Sequence, residues 1–136
     1  MDINDIAVVP GGMPGGYTVI NVKSIFAKVS DDDGFRVLIE PAWPRKAGHK
    51  NAAVNIWLRD LAPSPGLNDL YSSNMITWES FVARYHEELD TNREYFRDLQ
   101  SHNHNGGLTL VHGSRNEGRN IAVALKMLLE NDHATL

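Results

Sequence analysis

Asp33-Gly34-Phe35-Arg36-Val37-Leu38-Ile39-Glu40 is the stretch that decides the fold class. Asp-Gly is a turn signal. The run behind it is short and nearly all apolar, which marks a strand buried on both faces, as in parallel sheets. Leu108-Thr109-Leu110-Val111-His112 reads the same way. The two segments are expected to lie side by side as parallel strands. Residues 17–26, rich in β-branched side chains, predict a further strand. Asp31-Asp32-Asp33-Gly34 is read as the turn between, and Pro41, Pro44 and Gly48 break the chain afterwards.

Helical patterns separate these strands. Asn51 is placed to cap a short helix over 51–60 that buries Val54, Trp57, Leu58 and Leu61. Ser64 before Pro65 is a helix start, a hydroxyl cap followed by proline at the first helical position. Thr77 opens the longest helix, expected to run to about residue 100. Trp78, Phe81, Val82, Tyr85, Leu89, Phe96 and Leu99 trace one apolar stripe at helical spacing. The stripe breaks near Asn92, which allows a kink or two helices. Residues 101–107 read as a polar loop. Ser114-Arg115-Asn116-Glu117 matches a capping box, with a last helix behind it turning Ile121, Ala124, Leu125 and Leu128 inward.

Strands alternating with helices predict an α/β domain. It is a compact layered unit over 17–131, with a small, largely parallel central sheet flanked by helices. Residues 1–16 are expected to form a flexible arm and 132–136 to fray. Pro10-Gly11-Gly12-Met13-Pro14-Gly15-Gly16 opposes regular structure and lacks the Lys-Ser/Thr pair of a phosphate loop.

Composition narrows the function. The chain has 136 residues, 42% of them apolar, a net charge of −4 and no cysteine. Disulfide scaffolds, thiolate zinc sites and cysteine nucleophiles are excluded. The mild acidity argues against a nucleic-acid or anionic-membrane coat. No apolar run approaches the ~20 residues of a membrane span. The first ten residues hold two aspartates and no basic residue, unlike a secretory signal. A cytoplasmic domain is expected.

Ligands of open parallel sheets bind beyond the carboxyl ends of the strands. Two segments leave such ends, 40–49 and 112–120. In the second, a capped helix start with Arg115 and Arg119 beside it favours an anion. Asn120 is expected early in that helix, and His112 stands at the strand end as a candidate general base or ligand. In the first, Trp43-Pro44-Arg45 places an aromatic ring and a guanidinium beside Glu40. Glu40 is a candidate acid–base group, or the ion-pair partner of Arg45. Trp43 suits the core better than a stacking platform. His102-Asn103-His104 has no third ligand to make a metal site. Glu87, Glu88 and Asp90 read as a solvated helix face.

Four ordered motifs together resemble a known family. They are Asp33-Gly34-Phe35-Arg36-Val37-Leu38-Ile39-Glu40 with Trp43-Pro44-Arg45; Trp57-Leu58-Arg59-Asp60-Leu61-Ala62-Pro63-Ser64; Trp78, Phe81, Arg84, Tyr85, Glu88 and Leu89; and Asn120, Ala122 and Leu125. The resemblance is to the domain of unknown function 488 family, in its YeaO-like branch, over residues 17–130. It implies a compact α/β fold in a bacterial cytoplasmic protein and implies no activity or cofactor. Its polar motif positions are Glu40, Arg45, Arg59, Arg84, Glu88 and Asn120. Departures accompany it: Glu40 replaces an aspartate, Pro41 an arginine, Lys46 a glycine and Arg119 a histidine.

Three functions follow from these residues. The first is the binding of a small phosphate- or carboxylate-bearing ligand at the ends of strands 35–40 and 108–112. The second is an enzyme with Glu40 or His112 as acid–base group and Arg45 as electrostatic clamp. The third is a protein-interaction module without a catalytic pocket. No metal, nucleic acid or membrane is expected as a partner.

Overall fold

A computed structural model describes residues 20–48 and 53–134. Four strands, β1 (Asn21–Ser24), β2 (Phe35–Leu38), β3 (Ile56–Trp57) and β4 (Leu108–His112), form one sheet in the order β1-β4-β2-β3. Every neighbouring pair is parallel. β2 and β4 are adjacent as expected, with Phe35 opposite Leu108 and Leu38 opposite Val111. Helices α1 (Pro65–Ser72), α2 (Trp78–Leu89), α3 (Arg93–His104) and α4 (Ile121–Ala134) complete the α/β domain.

The alternation of side chains along β2 and β4 sorts the core onto two faces. Val37, Leu108 and Leu110 meet buried residues from all four helices, among them Leu67, Phe81, Tyr85, Phe96, Leu99 and Leu125. Leu38 and Val111 face the other way, onto Ile25, and Trp43 of the loop after β2 and Trp57 of β3 pack against them. The two indoles meet edge to face at 5.5 Å. At the amino ends of the strands this second face turns ionic. Arg36, 3% exposed, donates to the Asp33 carboxylate at 2.6 Å and to the Ala53 carbonyl at 3.0 Å. Lys23 reaches the other Asp33 oxygen at 2.8 Å. The Thr109 hydroxyl donates to the Asp33 carbonyl. Burial pushes the Asp33 carboxyl up, but Lys23, the Ser30 N–H and Arg36 outweigh it and hold the group below its ordinary range.

Several local expectations change. The expected helix over 51–60 is absent where described: Ile56–Trp57 is an edge strand, followed by a 3-10 turn over Arg59–Leu61. The exposed edge of β2 claims this backbone, with Asn55 N–H on the Arg36 carbonyl and Leu58 N–H on the Leu38 carbonyl. The long helix is two, parted by a 3-10 turn over Asp90–Asn92. There the Thr91 hydroxyl bonds back to the Glu88 carbonyl, a contact that competes with helical pairing. The polar segment 101–104 belongs to α3, not to a loop. Asn103 is buried and His102 stacks on Phe35 with ring centroids 3.7 Å apart, so packing overrides composition.

The capping box expected at Ser114–Glu117 is also replaced. The Ser114 hydroxyl accepts the Asn116 N–H, and the Asn116 side chain accepts the N–H groups of Gly118 and Arg119. These local turns delay the helix to Ile121, and Asn120 caps it by accepting the Val123 N–H at 3.0 Å. A capping box does form elsewhere, between Ser30 and Asp33. The arm expected over 1–16, the strand start expected at 17–19 and the Asn51 cap lie outside the described residues. α4 is helical to Ala134, across the first part of the segment expected to fray.

Candidate functional site

A cavity of about 320 Å3 opens beyond the carboxyl ends of β2 and β4. Its first wall is the chain leaving β2, with Glu40 and Pro44. The second is the chain leaving β4, with Gly113 and Ser114, continuing to Arg119, Asn120 and the first residue of α4. Tyr71 of α1 and Phe81 of α2 close it from the helical side, stacked on each other with centroids 4.7 Å apart.

Glu40 is the acidic group of this cavity. One of its oxygens accepts the Gly113 N–H at 2.9 Å, which joins the two strand ends. Its backbone carbonyl accepts the Trp57 indole N–H at 2.8 Å. Burial raises the Glu40 carboxyl above its ordinary range, and the Gly113 bond only partly offsets this. The second oxygen makes no hydrogen bond among the described residues. Gly113 has a steric reason to be glycine: a Cβ there would stand 2.6 Å from Cγ of Pro44.

Arg119 is the basic group. It is exposed at the cavity rim, and its guanidinium makes no ion pair or hydrogen bond among the described residues. It forms no pair with Glu40. Asn120, 5% exposed, directs its amide inward instead: Nδ2 donates to the Asn116 and Glu117 carbonyls while the oxygen caps α4.

His112 lies fully buried at the end of β4 and does not line the cavity. Its Nδ1 accepts the Ser114 N–H at 3.1 Å. An accepting Nδ1 carries no proton, so the neutral ring holds its proton on Nε2. That atom has no hydrogen-bond partner among the described residues. Burial lowers the His112 pKa, against a smaller upward pull from Glu117.

The remaining candidates scatter. Arg45 is exposed in the turn after Trp43-Pro44, forms no ion pair with Glu40 and does not line the cavity. Trp43 packs in the smaller core and donates its indole N–H to the Ala47 carbonyl at 2.9 Å. Arg59 stands over the Trp57 ring, 4.9 Å from its centre, and borders a separate shallow groove with Pro41 and Asp60. Arg84 and Arg115 are exposed. Glu88 accepts the Ser64 N–H and hydroxyl at 2.8 and 2.6 Å, so it holds the start of α1 rather than facing water alone. Tyr85 anchors the same corner from beneath by donating to the Leu61 carbonyl. The cavity thus keeps Glu40 and Asn120 of the expected candidates. It adds Arg119, which entered the sequence reading as a flank and a departure, Phe81, which helical spacing presents as core, and Tyr71, which the sequence reading did not single out. Asn120 at the strand-end turn is the sequence signal that points towards Arg119.

Comparison with known proteins identifies the family. A model described as the inactive DUF488-N3 subclade, DUF488-N3i, matches residues 19–135, and the chain belongs to this family. Uncharacterized proteins of Mycobacterium tuberculosis and Mycobacterium bovis are each 30% identical over 112 residues, covering 82% of this chain and 94% of theirs. The uncharacterized protein YeaO of Escherichia coli is 24% identical over 106 residues, covering 78% of this chain and 92% of its own. No solved structure matches.

Proposed function

We propose that this chain is a binding member of the DUF488 family that holds a small ligand bearing an anionic group in the cavity beyond β2 and β4. One observation carries the reading: the Arg119 guanidinium stands at the cavity rim without a protein partner, beside the amino end of α4. A helix start and a free guanidinium both favour negative charge. The volume sits at the small end of small-molecule sites, roughly 300–1,000 Å3. Binding rather than catalysis is supported by the description of the subclade as inactive. The acid–base alternative keeps only Glu40 in the cavity, since His112 and the expected clamp Arg45 stand outside it.

The test is a titration of the full chain with inorganic phosphate and with short carboxylates, followed by thermal shift and calorimetry. Arg119→Ala removes the proposed anchor. Arg45→Ala changes a guanidinium outside the cavity and serves as the control. Binding lost in the first variant and kept in the second supports the reading. Equal binding by both, or no binding by the wild type, overturns it.

A further inference from the structure

We infer that the cavity's ligand is a zwitterion with an apolar body, its ammonium group against Glu40, its anionic group against Arg119 and its body against Tyr71 and Phe81. This rests on the binding function proposed above and narrows its ligand class.

The argument starts from two charges that share a cavity and do not meet. Glu40 and Arg119 both line the space, and no ion pair joins them. The Glu40 carboxylate is held on one side only, by the Gly113 N–H, which leaves its second oxygen to accept. A simple anion would satisfy Arg119 and at the same time place like charge beside a half-buried carboxylate. That arrangement disfavours either the ligand or the ionised Glu40. An ammonium group on the same molecule reverses the sign. It donates a charge-assisted hydrogen bond to the free oxygen, stronger than one between neutral partners. The remaining wall is aromatic: Tyr71 and Phe81 stack on each other, and Trp78 packs behind Phe81 with centroids 5.7 Å apart. Such a wall accepts an apolar or aromatic body of amino-acid size. The volume of about 320 Å3 suits a body of this size better than a dinucleotide.

Three matched probes separate the terms. L-phenylalanine carries both charges, N-acetyl-L-phenylalanine the carboxylate alone, and L-phenylalanine amide the ammonium alone. Each is titrated calorimetrically into the full chain near pH 7. The expected result is that the zwitterion binds more than about tenfold tighter than either derivative, the loss of one charged hydrogen bond. Glu40→Gln, which keeps an acceptor for Gly113, should erase the preference over the N-acetyl compound and leave the preference over the amide. Equal binding of phenylalanine and N-acetyl-phenylalanine overturns the zwitterion and leaves the anion reading standing. Equal binding of phenylalanine and its amide overturns both. Absence of binding by all three overturns the zwitterion, while the phosphate titration decides the anion reading separately.

Discussion

The carboxylate of Glu40 accepts the backbone N–H of Gly113 across 73 residues of sequence, at 2.9 Å. This contact joins the chain leaving β2 to the chain leaving β4 where the two strands stop pairing. It turns two separate strand ends into one rim, and the cavity is what that rim encloses.

Glu40 is expected to act against stability when ionised. Burial raises its carboxyl above the ordinary range. The folded chain therefore holds this proton more tightly than the unfolded chain does. The contribution to stability is complete below the ordinary carboxylate value, about 4.3, and is lost as pH rises through the raised one. Glu40→Gln stays neutral and still accepts from Gly113. It should be more stable than wild type at pH 7, with the advantage gone near pH 4, as read by urea unfolding at both pH values. A variant less stable than wild type at pH 7 would mean that the charged bond to Gly113 outweighs burial.

His112 titrates with the opposite sign. Burial lowers its pKa, so the unfolded chain takes up a proton first as pH falls below about 6.5. Stability present above that value should decline through it. Protonation of Nδ1 also removes the bond to Ser114, a cost of about 1 kcal/mol. His112→Asn keeps an acceptor near Nδ1 and cannot titrate. Melting temperatures between pH 7.5 and 5 should fall more in wild type than in this variant. Nitrogen-15 shifts of the ring at pH 7.5 should show a proton on Nε2 and none on Nδ1, and the reverse tautomer would refute the assignment.

Two glycines should differ in what they tolerate. At Gly113 an added methyl meets the Pro44 ring at 2.6 Å, with the backbone otherwise unstrained. Gly113→Ala should cost about 1–3 kcal/mol, the usual range for overpacking, and should weaken ligand binding by moving the cavity wall. At Gly34 the φ of 66° adds strain, and the Cβ would stand 2.4 Å from the Gly107 carbonyl oxygen, a backbone atom with nowhere to turn. Gly34→Ala should cost more, about 3 kcal/mol or above, enough to impair folding. Chemical denaturation of both variants checks the order.

Asp33 is the partner that makes Arg36 tolerable in the interior. Asp33→Asn removes the carboxylate that pairs with the buried Arg36 guanidinium, and breaking such a pair from one side is expected to cost about 3–5 kcal/mol. Because the Asp33 carboxyl is held below its ordinary range, its contribution is present above the unfolded value and lost as pH falls through the folded one. The gap between wild type and Asp33→Asn should therefore narrow in acid. A double variant with Arg36→Met, which removes the buried charge as well, should recover much of the loss.

The parts of the fold that the sequence reveals are those whose signal is carried by their own residues. Phe35–Leu38 and Leu108–His112 are apolar enough to be strands wherever they sit, and Ser64-Pro65 starts its helix by local chemistry alone. Ile56–Trp57 becomes a strand because β2 offers a free edge, a fact absent from the segment itself. Its neighbours Val54, Leu58 and Leu61 carry a helical spacing that the sheet overrides. The start of α4 is hidden by three polar side chains, Ser114, Asn116 and Asn120, each able to cap. At the site, the strand-end rule finds Glu40 and Asn120. It cannot separate Arg119 from Arg45 and Arg115, since all three flank strand ends and only the turn geometry brings one to the cavity. Phe81 faces the space from a helix whose stripe looks like any core, and Tyr71 sits in a helix that the sequence marks only by its Ser64-Pro65 start.

The strand order has a consequence for how the chain is made. β4 is the last strand in sequence, yet it lies between β1 and β2 and pairs with both. During synthesis β1 and the β2–β3 pair emerge early and wait for a partner more than half the chain away. A ribosome that stalls before Leu108 leaves two exposed strand edges and no sheet to join them, a state prone to self-association. The same distance between paired residues points to slow folding for a domain of this size. The cavity, whose rim needs Gly113, is among the last features to exist.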